Sequence, residues 1–102
     1  MPSVQRTQFA DDDLRGIAYQ IGVESGRPLI ADQVIDGLLD CCERLAQLSG
    51  LSQLGAAVPE LGRGLRLFPY QRWVVIFRYI DDGVLVLRIA DGSQDYMSWK
   101  FG

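Results

Sequence analysis

The sequence predicts an α+β domain, with an N-terminal strand and a helical hairpin packed on a small antiparallel sheet. Three observations carry that expectation. Apolar residues recur every three or four positions from Leu14 to Leu48, the period of helices with one buried stripe. Three β-type runs follow in the last third: Leu65 to Phe68, Arg72 to Tyr79 and Val84 to Ile89, with turn signals between them. At 102 residues the chain makes one domain, 1–102, large enough for a core but not for two.

Each element has its own signature. Ser3 to Phe9 is a short mixed run that suits a first strand. Asp11 to Asp13 reads as a helix start, with acids where the dipole favours them, and not as a metal site. Leu14, Ile17, Ala18 and Ile21 give the first helix its apolar stripe. Gly26 suits its end, and Pro28 suits the first turn of the next helix. From Ile30 the positions Val34, Leu38, Cys41, Leu45 and Leu48 form the longest stripe, and Asp32, Asp36, Asp40, Glu43 and Arg44 make a solvated opposite face. A short Gly-Arg-Pro connection between two helices predicts an antiparallel hairpin. Ser49 to Gly64, with four glycines and no continuous period, reads as a loop.

The last two strands predict a register. A three-residue Asp81-Asp82-Gly83 loop pairs Ile80 with Val84. Val75, Phe77 and Tyr79 then share an apolar face with Leu85, Leu87 and Ile89. Ile76, Arg78, Val84, Val86 and Arg88 fall on the other face. Helices covering the apolar face would leave Arg78 and Arg88 open. Arginines inside apolar strands are costly to bury, so their placement points to a partner surface.

Charge and composition narrow the function. Residues 1–60 hold four arginines against nine acids, a net of −5, whereas residues 61–102 hold six basic residues against four acids, a net of +2. A chain of net charge −3 is not built to grip nucleic acid through its whole surface. It contains no histidine, which removes most routes to zinc binding and histidine-based catalysis. Adjacent Cys41 and Cys42 read as small reduced hydrophobes, since neighbouring helical residues diverge too far for an ordinary disulfide. Neither a membrane-spanning run nor a secretion signal is visible, so a cytoplasmic protein is expected. No catalytic, cofactor-binding or metal-ligating residues are expected.

Several segments, in order, resemble one family. Asp13-Leu14 with Ile17 and Tyr19 is similar to the opening of ParE-type toxins. Gly64-Leu65-Arg66-Leu67-Phe68-Pro69 followed by Arg72-Trp73 resembles their G-L-R-x-F-P-x-x-R-Y segment. Asp81-Asp82-Gly83 and Leu87-Arg88-Ile89 are similar to their I-D-D-G-x-x-I-L-R-I hairpin. The likeness spans residues 8–96 and is to the RelE/ParE toxin superfamily, on its ParE-like branch. It implies the toxin of a type II toxin–antitoxin pair, neutralised by a cognate antitoxin in a hetero-oligomer. The ParE-like branch implies inhibition of DNA gyrase. The RelE-like branch would imply a ribosome-dependent mRNA endonuclease, and a non-toxic antitoxin-binding relic is a third reading. Where the family usually reads His-Gly-x-Arg-Asp, this chain has Asp91-Gly92-Ser93-Gln94-Asp95. RNA cleavage needs a base, an acid and cationic stabilisation, and no side chain here titrates naturally near pH 7, which disfavours the nuclease.

The expected target- or antitoxin-binding residues are Arg66, Arg78, Arg88, Asp95, Tyr96 and Trp99. Arg88 has a second reading, an ion pair with Asp91 or Asp95 at the strand end. Arg66 has another, closing the glycine-rich loop through an acid, and Arg78 reads also as an ordinary solvent-facing strand residue. Trp73 reads as core. Trp99 and Phe101 read either as docking anchors or as a tail packed on the sheet. An open sheet edge would also suit an extended antitoxin segment.

Overall fold

A computed structural model describes residues 2–51 and 53–101. Ser52, inside the expected loop, lies outside them. Strand β1 (Ser3–Arg6) leads into helix α1 (Gln8–Tyr19), which continues through a wider π-type turn at Gln20–Glu24. Helix α2 spans Pro28–Gln47. Strands β2 (Ala56–Ala57), β3 (Arg66–Tyr70), β4 (Trp73–Ile80) and β5 (Gly83–Asp91) follow, and a single 3₁₀ turn occupies Tyr96–Ser98.

The strands form one sheet in the order β1-β5-β4-β3-β2. Pairing is antiparallel from β5 to β2, as expected, but β1 runs parallel to β5, so the sheet is mixed. The first helical crossover does not return to β1's other edge. Instead the chain builds β3, β4 and β5 as a meander and brings β5 back beside β1. The expected loop also contains β2, which pairs Ala56 with Leu67 and Ala57 with Arg66.

Helix α1 starts earlier than its acids suggested. Thr7 is the N-cap, and its hydroxyl accepts the Ala10 N–H at 3.1 Å. Pro28 occupies the first turn of α2, where its missing N–H costs nothing. The two helices lie on one face of the sheet. Leu14, Ile17, Val34, Leu38 and Leu45 meet Trp73, Val75, Phe77, Val84, Val86 and Ile89 in the main core. Trp73, only 7 % exposed, is core as expected. Asp32, Asp36, Asp40, Glu43 and Arg44 are all exposed on the far side of α2.

The opposite face is not bare, which corrects the expected open surface. Val58, Leu61 and Leu65 from the loop before β3 pack on Ile76 and Ala90. Tyr96, Trp99 and Phe101 from the chain's end close over the same cluster. The tail is fixed by the Phe101 N–H, which donates to the Leu61 carbonyl at 3.2 Å. Trp99 and Phe101 meet edge to face, with centroids 6.5 Å apart.

The β4–β5 register is half as expected. At its tip Ile80 pairs with Gly83 around a two-residue Asp81-Asp82 turn, and Phe77 pairs with Val86. At its base Ile76 pairs with Arg88 and Val75 with Ile89, as the three-residue loop had required. A β-bulge at Leu87 absorbs the difference. Val84 and Val86 therefore face the helices, where both are fully buried, and Leu85 and Leu87 do not. The tip is fixed by β1. Gly83 has φ +132°, and a Cβ there would drive into the Ser3 backbone, which lies against the turn. The Ser3 N–H donates to the Asp82 carbonyl at 2.8 Å. A wider loop with Val84 at that place could not accept β1 so closely.

Candidate functional site

The bulge organises the outer face. Val86 and Ile89 point to the helices, whereas Leu87 and Arg88, consecutive in the chain, both join the outer cluster. A bulge also leaves ladder groups without strand partners, and buried backbone groups need partners. The start of α1 supplies them. The Thr7 N–H donates to the Val86 carbonyl at 3.1 Å, and the Thr7 hydroxyl donates to the Leu87 carbonyl at 2.6 Å. Six residues further on, Asp13 Oδ2 accepts the Ile89 N–H at 2.8 Å. The beginning of α1 thus prolongs the edge that β1 leaves at Arg6.

Asp13 also holds Arg88. The Arg88 Nε and Nη2 donate to the two carboxylate oxygens at 2.8 and 2.9 Å, a two-pronged pair with both side chains largely buried. That hydrogen bond raises the guanidinium's affinity for its proton further, against the opposing effect of burial. The Trp99 ring covers the guanidinium at 4.2 Å, and the Phe9 ring lies 5.8 Å away on another side. Arg88 therefore pairs with neither Asp91 nor Asp95, as one reading had it. Its acid comes from α1, and its charge is spent inside the fold.

Arg78 has the opposite fate. It is exposed on β4 and lines an open cleft of about 630 Å³ beside this stack. Arg63 and Lys100 line the same cleft, and Phe9, Leu87 and Phe101 give it apolar walls. Among the described residues, no acidic side chain lines it. Phe9 is 67 % exposed, an unusual state for a large aromatic ring in the first turn of a helix.

The remaining expected residues separate from this region or support it. Arg66 pairs with Phe77 and so sits in the helix-facing register. Its Nε and Nη2 donate at 2.8 Å to the carbonyls of Leu54 and Gly55. It does close the glycine-rich loop, but through backbone carbonyls and not an acid. Tyr96 is half-buried in the outer cluster. Asp95 is exposed, and its carbonyl accepts the Ser98 hydroxyl at 2.7 Å, fixing the 3₁₀ turn that presents Trp99. The structure thus brings Arg88, Tyr96 and Trp99 together, sets Arg78 beside them, and places Arg66 elsewhere. Sequence reasoning missed Asp13 as Arg88's partner and missed Phe9, Arg63 and Lys100 in the cleft. Seventy-five positions separate Asp13 from Arg88, and no local signal spans that gap.

The segment that departs from the toxin pattern builds a turn. Asp91 Oδ1 accepts the Ser93 N–H at 2.9 Å and the Ser93 hydroxyl at 2.8 Å. Its Oδ2 accepts Arg72 Nη2 at 2.6 Å. Gln94 Oε1 accepts the Asp91 N–H at 2.8 Å. The bonds from Ser93, then that from Arg72, hold the Asp91 carboxyl below the ordinary aspartate range, so it is an anion at neutral pH and no proton donor. Burial pushes the Cys42 thiol up to about 12 and also raises Cys41, so neither is poised as a thiolate nucleophile. Among the described residues, no group of histidine, cysteine and acid side chains could hold a metal ion. No described helix is long and apolar enough to cross a membrane.

Two helices on a five-stranded mixed sheet, with a charged outer surface at the sheet's far side, define the class to which this domain belongs. The backbone is similar to a solved chain described as the chromosomal ParDE TA system from P. aeruginosa. That match has a TM-score of 0.67 and 23 % sequence identity, and covers 89 % of this chain and 96 % of the other. No curated protein matches the chain. The family model for the ParE toxin of the type II toxin-antitoxin system parDE matches residues 4–96, and the chain belongs to that family.

Proposed function

We propose that this chain is the toxin of a type II pair, that it acts by binding and inhibiting DNA gyrase, and that a cognate antitoxin neutralises it. The observation that carries this reading is family membership over residues 4–96 combined with the use made of Asp91 and Gln94. The two positions that depart from the family's His-Gly-x-Arg-Asp pattern are committed to a turn. Arg88, the cation nearest to them in the chain, is neutralised by Asp13. A surface of this kind, in a chain without histidine, supports inhibition by contact over general acid–base cleavage of RNA. The ParDE description of the similar solved chain supports an antitoxin as the partner.

Two assays test the reading. Induction of the protein alone arrests growth, and co-expression of the neighbouring reading frame that encodes the antitoxin restores it. In vitro, saturating purified protein blocks supercoiling by gyrase. Undisturbed supercoiling removes the gyrase target. Normal growth on induction, with the antitoxin still bound, leaves only the relic.

A further inference from the structure

We propose that the cleft bounded by Arg63, Arg78 and Lys100 is a docking site for an acidic peptide segment carrying apolar side chains. This deepens the contact reading above and rests on it in one respect, that the partner is a protein. The three cations come from three separate parts of the chain: the loop before β3, the middle of β4 and the tail. None makes a side-chain hydrogen bond or ion pair among the described residues. Arg6, Arg15, Arg72 and Arg88, by contrast, each have an acid within 3.0 Å. The chain as a whole carries more acidic than basic side chains, 13 against 10, so a cleft lined by three cations and, among the described residues, by no acidic side chain runs against its composition. Such a concentration of one sign raises the local concentration of an oppositely charged segment and sets its orientation.

The walls specify the rest of the ligand. Phe9, Leu65, Leu87 and Phe101 line the cleft, and Phe9 is held open to solvent. An apolar side chain set between carboxylates would cover Phe9 while its acids reach Arg78 and Lys100. A nucleic acid strand fits less well. Three cations neutralise few phosphates, and the net charge of −3 repels a long polyanion at distances a short acidic segment need not feel. The volume, about 630 Å³, is that of a site for a few side chains and not of a groove that follows a strand.

The test is fluorescence anisotropy with the purified full chain. The probe is a labelled peptide of Glu-Glu-Leu repeats, compared with Ser-Ser-Leu repeats and with an oligouridylate of similar length. The acidic peptide is expected to bind, and to weaken about tenfold or more between ~50 and ~300 mM salt. Arg78→Glu is expected to weaken it about tenfold or more, with the thermal midpoint unchanged because Arg78 is exposed and unpaired. Phe9→Ser should weaken the acidic peptide but not change its salt dependence. Should Arg78→Glu fail to fold, Lys100→Glu provides the same readout. Absence of binding by the acidic peptide, binding indifferent to these charge reversals, or tighter Arg78-dependent binding of the oligouridylate each overturns the proposal. Neither growth nor supercoiling enters the measurement, so its failure and the failure of the gyrase reading are told apart.

Discussion

The two faces of the sheet are closed in different ways. On one, α1 and α2 lay two continuous apolar stripes over Trp73, Val75, Phe77, Val84, Val86 and Ile89. On the other, short irregular pieces, Val58 to Leu65 and Tyr96 to Phe101, cover little more than Ile76 and Ala90. The first is a core in the ordinary sense, with its side chains locked by regular elements. The second is a cover held by a few contacts: one backbone hydrogen bond from Phe101 to Leu61 and a tryptophan resting on Arg88. Stability is concentrated on the helix side, and the three cations of the proposed docking cleft lie on the other. Surfaces with few buried apolar contacts open locally at low cost, and binding sites are drawn from them.

That difference can be broken or sharpened by substitution. Phe77, fully buried and edge-to-face with Tyr79, anchors the helix side. Phe77→Ala should cost about 3–5 kcal/mol, read as a lower urea midpoint at unchanged slope, which threatens the whole fold of a small domain. Asp13→Ala comes next, because Asp13 ties α1 to both the β5 edge and Arg88. Losing the pair and the Ile89 N–H acceptor should cost roughly 2 kcal/mol, less than for a fully buried pair because both groups keep some contact with water. Trp99→Ala should have the smallest effect, about 1–2 kcal/mol, since the ring is only half-buried and Arg88 retains Asp13 and the Phe9 ring. Amide exchange should then quicken at Leu61 and Phe101 and stay slow in β4. If Trp99→Ala cost as much as Phe77→Ala, the two faces would be energetically alike and the contrast would fall.

The sequence revealed the helix-side face well because periodicity is a local signal. Leu14, Ile17, Val34, Leu38, Cys41 and Leu45 announce their role by spacing, and all are buried. The outer face was read poorly, for physical reasons. Its partners are joined through space by residues with no common period: Asp13 with Arg88, Phe9 with Arg88, Leu61 with Phe101. The parallel pairing of β1 with β5 was likewise hidden, since Ser3 to Arg6 shows no alternation strong enough to name a neighbour. The register error at Asp81–Gly83 has the same root. A wholly apolar face for Leu85 and Leu87 was a sound local inference, but contact with Ser3 decided the turn. Of the candidate site, Arg78, Arg88, Tyr96 and Trp99 were legible as a group, whereas the partner that neutralises Arg88 was not.

The extra residue at Leu87 lets the ribbon change phase once along its length. Below it, β5 keeps step with the carboxylate of Asp13; above it, the strand keeps step with β1 and the tight turn. A lengthened or shortened tip would therefore shift the beat only as far as that hinge point. The pocketed guanidinium lies beyond it, so the stack on which the tail is seated takes its phase from the Asp13 carboxylate and not from the turn.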